Sequence, residues 1–295
     1  MRIGVIGLGD MGSGIAKNLI LNKFETIGFD LNKKRMQNFK NMGGIFARSL
    51  SEVAKFSDVV FVMVMNGDQA NQVILGENGI INKLKKGSTV ILTSTIKPVE
   101  AKKIGEKMKN TKIDIIDSPV SGGFVGAQNG TLTMMAAGKK NVLKKCRLVM
   151  NAVSKNIHHV GINCGDGQTV KACLQSLIGS IFSATFEAAA LAAKAGIKGE
   201  TLFNVFSTSG AGCNVTNSAL ENIIDRKFSG TGSSISTMHK DLTIALDLGE
   251  NLGVPLHTAS TAMQLFQAGK TKFPDDDNWA VVKVIEEIIG AELHR

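Results

Sequence analysis

The sequence predicts an α/β fold over its first half, joined to an all-helical second half. Three observations carry this. Short apolar runs alternate with amphipathic stretches up to about residue 160. Three glycines, Gly7, Gly9 and Gly12, interrupt the passage from the first apolar run to the first amphipathic stretch. After Gly167 the alternation gives way to a long segment, residues 170–195, that is rich in Ala, Leu and Ile and contains no Pro. Strands interleaved with helices imply βαβ units and a largely parallel sheet, and a chain of 295 residues is long enough for about two domains. The expected division is 1–162 and 163–295.

Taken in order, residues 3–6, 25–29, 59–64, 89–93, 113–116, 131–137 and 156–160 are apolar runs of strand length. Residues 12–21, 33–42 and 99–109 between them read as helices, as do 170–195, 199–208, 215–225, 235–252, 256–268 and 278–292 in the second half. No repeat or low-complexity tract appears. No run of about 18 uncharged apolar residues appears either, so no membrane span is expected. Nothing before Arg2 resembles a leader, and the four Cys (146, 164, 173 and 213) lack C-x-x-C spacing, so the expected compartment is the cytoplasm, without disulfides or a zinc cluster. The sequence has no Tyr, which excludes a tyrosine acid or base.

The net charge of +9 is unevenly placed. Residues 1–161 hold 24 Lys and Arg against 11 Asp and Glu, a balance of +13; the remainder holds 10 against 14, a balance of −4. Runs such as Lys33-Lys34-Arg35 and Lys144-Lys145 read as solvated helix faces, and aromatic residues are too few for a nucleic-acid surface. A basic first half favours anionic small molecules.

Residues 3–14 read Ile-Gly-Val-Ile-Gly-Leu-Gly-Asp-Met-Gly-Ser-Gly. In a G-x-G-x-x-G turn between strand and helix, the first glycine permits the tight turn, the second admits a pyrophosphate, and the third lets helix and strand pack closely. Gly7, Leu8, Gly9, Asp10, Met11 and Gly12 are therefore expected to bind a dinucleotide. Asp30 ends the next strand, 18 residues beyond Gly12, where a carboxylate accepts the ribose hydroxyls and repels a 2′-phosphate. This favours NAD, while Lys33, Lys34 and Arg35 leave NADP open. Further along, Asp117-Ser-Pro-Val-Ser-Gly-Gly follows an apolar strand, and Ser121, Gly122 and Gly123 offer a hydroxyl and bare amides suited to a carboxylate, or else an ordinary strand-to-helix turn. Lys171 is the only cation from Gly165 to Ala193 and shares a helix face with Gln175; by itself it reads first as a solvated lysine.

Together these motifs resemble the β-hydroxyacid dehydrogenase family, which includes 3-hydroxyisobutyrate dehydrogenase and tartronate semialdehyde reductase. The resemblance covers residues 7–14, Ser94-Thr95-Ile96, residues 117–123 with Gly130-Thr131-Leu132, residues 165–171, and His239-Lys240-Asp241-Leu242. It implies a Rossmann NAD-binding domain followed by a helical substrate and dimerisation domain, forming a homodimer or homotetramer. It implies that Lys171 is catalytic with Gln175, that Ser121, Gly122, Gly123 and Lys240 bind the substrate, and that Met65, Thr95 and Lys240 border the cofactor. The family usually carries Asn where this chain has Gln175. That change, with Ala-Ser-Thr-Ala at 259–262 and three Asp at 275–277, resembles the L-threonate dehydrogenase branch, which acts on four-carbon sugar acids.

The implied chemistry is hydride transfer between NAD and a hydroxy acid, with Lys171 taking the hydroxyl proton in oxidation and returning it in reduction. Such a lysine needs a pKa below its ordinary value of about 10.4, which desolvation and neighbouring positive charge supply. Two alternatives remain: a sister activity on 3-hydroxyisobutyrate or tartronate semialdehyde, and a non-catalytic scaffold associated with nucleic acid. Lys171 argues against the scaffold, and also against imine reductases, which typically replace it. Among the remaining candidates, His158-His159 point to opposite faces of a strand, the three Asp at 275–277 suit a cap for the following helix, Glu187 reads as a paired core or interface group, and Met63, Met65, Met134 and Met135 pack the sheet.

Overall fold

The computed structural model describes all 295 residues. Its first compact unit, Met1–Lys171, is built on a nine-stranded sheet. The strands are β1 (Arg2–Ile6), β2 (Glu25–Phe29), β3 (Ile45–Phe46), β4 (Val59–Val62), β5 (Thr89–Leu92), β6 (Asp114–Asp117), β7 (Val120–Ser121), β8 (Leu132–Ala137) and β9 (Ser154–Gly161). The order is β3-β2-β1-β4-β5-β6-β8-β7, with β9 paired to β8. The first six strands are parallel, while β8 runs antiparallel to both β6 and β7. Order reverses between β1 and β4, the position at which doubly wound sheets bind ligands beyond their strand ends.

The strands read as apolar runs because both sheet faces are covered: β4 and β5 are buried at every position. The two-residue strands β3 and β7 carry too short a run for the sequence to show. On the faces lie α1 (Asp10–Leu21), α2 (Lys33–Asn41), α3 (Leu50–Phe56), α4 (Gly67–Leu75), α5 (Pro98–Met108), α6 (Gly123–Asn129) and α7 (Lys140–Asn151). Several begin at side-chain caps that satisfy free amides: Asn32 accepts from Lys34 and Arg35, Ser49 from Glu52, and Asn66 from Gln69.

The second unit, Ala172–Arg295, is helical. A 29-residue helix, α8 (Asp166–Lys194), leads into it, followed by α9 (Gly199–Thr208), α10 (Asn214–Ile224), α11 (Ile235–Leu252), α12 (His257–Lys272) and α13 (Val282–Ile289). Phe182, Phe186, Phe266 and Trp279 form its aromatic centre, with Phe182 and Phe186 stacked at 5.9 Å. The compact units divide inside α8, later than the expected boundary after residue 162. By length and composition α8 is long and apolar enough to cross a membrane, although Glu187 keeps it short of 18 uncharged residues in a row. Phe182, Phe186, Ala189 and Ala192 of this helix are buried in the helical core.

Three further expectations are corrected. Glu187 is exposed, which removes the core half of the expectation for it and leaves the interface half standing. Met65 is 62% exposed, so it does not pack the sheet as Met134 and Met135 do. Asp277 precedes a short 3-10 helix (Asn278–Val281) without capping it. Its carboxylate accepts instead from Thr231 N–H at 2.7 Å and Ser233 N–H at 3.1 Å, because a loop with two glycines in left-handed conformation leaves those amides without partners of their own.

Candidate active site

The glycine turn joins β1 to α1. Gly7 has φ +86°, and a Cβ there would lie 2.0 Å from Met63 O. A Cβ at Gly12 would lie 1.8 Å from Gly7 O, so neither position accepts a side chain. Gly9 precedes α1 without any side-chain cap, leaving the first-turn amides of a 12-residue helix for an anion. Asp30 Oδ2 accepts Leu8 N–H at 2.7 Å, and its Oδ1 accepts Asn32 N–H at 2.8 Å. Its carboxylate is thereby fixed at the end of β2, with the Arg35 guanidinium 3.6 Å away. A Cβ at Gly9 would lie 3.7 Å from that same guanidinium. The donor set fits a dinucleotide: bare amides and a helix N-terminus for the pyrophosphate, and a held carboxylate for a ribose.

Helix α1 is fastened to α6. Asn18 Nδ2 donates to Gly14 O at 2.9 Å, Ala127 O at 2.8 Å and Gln128 O at 3.2 Å, while Gly14 permits the close approach. At the other end of α6 lies the expected carboxylate loop. Ser121 sits on β7 opposite Thr133, and Gly122 (φ +125°) and Gly123 (φ +58°) take conformations suited to glycine. Both glycines are exposed.

Thr95 follows β5, and Gln168 holds the residues on either side of it. Gln168 Oε1 accepts Ile96 N–H at 3.0 Å, and its Nε2 donates to Ser94 O at 3.0 Å and to Asp117 Oδ1 at 2.7 Å. Asp117 Oδ2 accepts the amides of Gly165 (2.8 Å), Gly167 (3.1 Å) and Gln168 (3.3 Å) at the start of α8. Burial pushes the Asp117 carboxyl up to about 6, opposed by these hydrogen bonds. The neighbouring Cys164 thiol is pushed up to about 12, mainly by burial and then by the Asp117 charge, and stays neutral.

Lys171 and Gln175 stand one turn apart on α8, each 6% exposed. Within the helical unit, Gln175 Nε2 donates to Asp241 Oδ2 at 2.5 Å, and Lys240 Nζ lies 2.7 Å from Asp241 Oδ1. Asp241 is buried on α11. His239, also on α11, meets Gln267 at 2.7 Å. On the edge strand β9, His159 Nε2 lies 3.0 Å from Gly138 O, and no cluster of three metal-ligating side chains occurs in the structure.

Residues 2–161 match the family described as the NAD binding domain of 6-phosphogluconate dehydrogenase, and residues 165–285 that described as the NAD-binding domain of NADP-dependent 3-hydroxyisobutyrate dehydrogenase. The chain belongs to this 3-hydroxyisobutyrate dehydrogenase-like family. It is an NAD(P)-dependent hydroxyacid dehydrogenase acting on a CH–OH group. The L-threonate dehydrogenase of Haemophilus influenzae is 33% identical over 288 residues, covering 97% of this chain and 95% of that one. The 2-(hydroxymethyl)glutarate dehydrogenase of Eubacterium barkeri is 32% identical, covering 99% and 97%. The crystal structure of 3-hydroxyisobutyrate dehydrogenase from Salmonella typhimurium superposes with a TM-score of 0.88 at 31% identity, over 96% of this chain and 99% of that one.

Three residues of this dehydrogenase were given no role by the sequence: Gln168, Asp117 and Asp241. Asp117 and Asp241 lie inside quoted motifs and are acids within apolar surroundings, which is the signal that marks them. Gln168 gives no such signal, because an amide at the start of a helix is ordinary.

Proposed function

We propose that this enzyme oxidises L-threonate, a four-carbon sugar acid, with NAD as the preferred cofactor. The observation that supports this substrate is the held amide of Gln175. Its Nε2 is committed to Asp241, so Oε1 remains an acceptor at a fixed place, on a side chain one methylene longer than the Asn usual in the family. A polyol acid has additional hydroxyls to donate to such an acceptor, and 3-hydroxyisobutyrate has a methyl group instead. The name of the Haemophilus influenzae relative agrees with this substrate.

In this reading Ser121 Oγ and the amides of Gly122 and Gly123 hold the substrate carboxylate. Lys171 Nζ accepts the proton of the hydroxyl as the C–H bond gives up its electron pair, and returns it in the reverse direction. Bound NAD supplies the hydride acceptor. Gln175 Oε1 orients a hydroxyl, and Lys240, a cation steadied by Asp241, is assigned to binding substrate and cofactor. Gly7 to Gly12 hold the pyrophosphate, Asp30 the adenosine ribose, and Met65 and Thr95 border the nicotinamide. Asp30 supports NAD over NADP because its carboxylate is fixed where a 2′-phosphate would be repelled.

The enzyme is placed in the cytoplasm as a homodimer or homotetramer that binds no nucleic acid. Exposed Leu177 (59%) and Leu191 (73%) on α8 support an apolar contact between copies. The deciding experiment is a panel of L-threonate, D-threonate, glycerate and 3-hydroxyisobutyrate, each with NAD and NADP. The expected result is the highest kcat/KM for L-threonate with NAD, and a marked preference for 3-hydroxyisobutyrate overturns the proposal.

A further inference from the structure

We propose that Asp117 and Gln168 are positioning residues, a buried carboxylate–amide pair that fixes the first turn of α8, one turn below Lys171, against the loop that carries Thr95. The proposal rests on Lys171 being the proton-transfer group.

Every hydrogen-bonding group of the Gln168 amide is engaged. Its oxygen takes Ile96 N–H, and its two N–H groups go to Ser94 O and Asp117 Oδ1. The amide therefore has one orientation, and it brackets Thr95 from both sides. Asp117 closes the other half of the clamp by accepting three amides from Gly165, Gly167 and Gln168 on one oxygen. Gly167 allows this approach, since a Cβ there would lie 2.6 Å from Met135 O and 2.8 Å from Asp117 O. Asp117 also ends β6, the strand that leads directly to β7 and Ser121. One side-chain pair thus sits at the junction of three segments, bearing the nicotinamide border, the carboxylate loop and the lysine.

A clamp serving stability alone has a cheaper form. Asn32, Ser49 and Asn66, none of them buried, satisfy helix amides at the starts of α2, α3 and α4, whereas a fully buried carboxylate incurs a desolvation penalty. The retained charge makes the clamp titratable. Burial raises the Asp117 pKa to about 6, opposed by the hydrogen bonds from Gly165, Gln168 and Gly167. The other titratable groups in this stretch are Cys164, which stays neutral, Asp166 and Lys171. Protonation near pH 6 weakens the acceptor for three amides and loosens the turn beneath Lys171.

The test compares Asp117→Asn, Gln168→Met and Lys171→Ala with the unaltered enzyme, measuring kcat, KM, NADH binding by fluorescence and the pH profile of kcat. Asp117→Asn sets its amide N–H against Gln168 Nε2, and Gln168→Met keeps the length of the side chain without its hydrogen bonds. Both variants are expected to bind NADH as the parent does and to lose about 10–100-fold in kcat, the scale of a small misplacement of a reacting group. The parent profile is expected to show an acid limb near pH 6 that is absent from Asp117→Asn. If Asp117→Asn does not fold, Gln168→Met decides. Normal kcat in the two clamp variants with Lys171→Ala inactive overturns this proposal alone. Normal turnover in Lys171→Ala overturns the lysine assignment and the proposal with it.

Discussion

Gln175 Nε2 and Asp241 Oδ2 are 2.5 Å apart, both residues are buried, and Lys240 lies on the other oxygen of the same carboxylate. One buried anion thereby orients both an amide and a cation. Replacing Gln175 by Asn withdraws the amide by a methylene and breaks the bond. A hydrogen bond to a charged group contributes about 1.5–3 kcal/mol, so kcat/KM for L-threonate should fall roughly 10–100-fold. The same variant should gain activity on smaller acids relative to L-threonate. Steady-state kinetics on the four-acid panel measures both changes, and an unchanged preference would show that the amide does not select the substrate.

Removal of the proton-transfer group has a separate signature. Lys171→Ala should lower kcat by about 10²–10⁴-fold, with NADH still bound, because the glycine turn and Asp30 lie on other elements. Fluorescence titration of NADH beside turnover separates the two effects.

Cofactor choice should follow Asp30 and Arg35. Asp30→Ala frees Leu8 N–H and Asn32 N–H and leaves the Arg35 guanidinium without its carboxylate partner. KM for NAD should rise and the NAD-to-NADP ratio of kcat/KM should fall, while Arg35→Ala should weaken NADP use more than NAD use. Kinetics with both cofactors gives the ratios, and a ratio unmoved by Asp30→Ala would remove the carboxylate from the selection of cofactor.

These three tests also mark where the sequence was informative. The glycine turn and Asp30 stand out as exceptions to their surroundings, glycines in a strand-to-helix passage and an acid at a strand end, whereas Lys171 as a lone cation reads first as solvated and is singled out only by the family resemblance. The strands and helices of the sheet are visible where runs are long enough to show a period, and β3 and β7 are missed because two residues show none. The helical half is visible as texture, but the exposure of Met65 and Glu187 depends on tertiary packing that residue type does not encode. The acids Asp117, Asp241 and Asp277 acquire meaning only when their partners, 40 or more residues distant, come within hydrogen-bond reach.

The fastening of α1 to α6 should be visible as stability. Asn18→Leu fills the space without the three hydrogen bonds and leaves Ala127 O to Gly130 N–H alone and Gln128 O to Lys17 Nζ alone, beside an apolar group. The cost should be about 1–3 kcal/mol, read as a Tm lowered by roughly 2–4 °C per kcal/mol. A wild-type Tm would show that the amide is dispensable to the packing.

Stability and activity should respond to pH in opposite directions. The folded Asp117 carboxyl, near 6 against its ordinary value of 3.8, keeps its proton where the unfolded chain has released it. Its contribution to stability therefore falls as pH rises from about 4 to about 6 and is constant above that, by at most about 3 kcal/mol at 1.36 kcal/mol per pKa unit. Moving from pH 7 to pH 5 should raise the part of Tm that belongs to this group and lower turnover. Asp117→Asn should abolish that part of the pH dependence in thermal unfolding, and an identical profile in parent and variant would contradict it.

Because Asp117 on β6 grips the amides of Gly165, Gly167 and Gln168, the start of α8 is chemically part of the nucleotide-binding unit even though the rest of that helix builds the other one. Recombination between relatives is constrained accordingly. A chimera joined at the loop before α8 separates the carboxylate from the amides of its own chain, and one joined between Lys171 and Gln175 keeps that pair but divides the lysine from the amide. A working exchange of the helical unit between such enzymes is therefore expected when the crossover lies beyond Gln175, leaving the parental clamp, lysine and amide, with the preference that the amide sets, on one inherited segment.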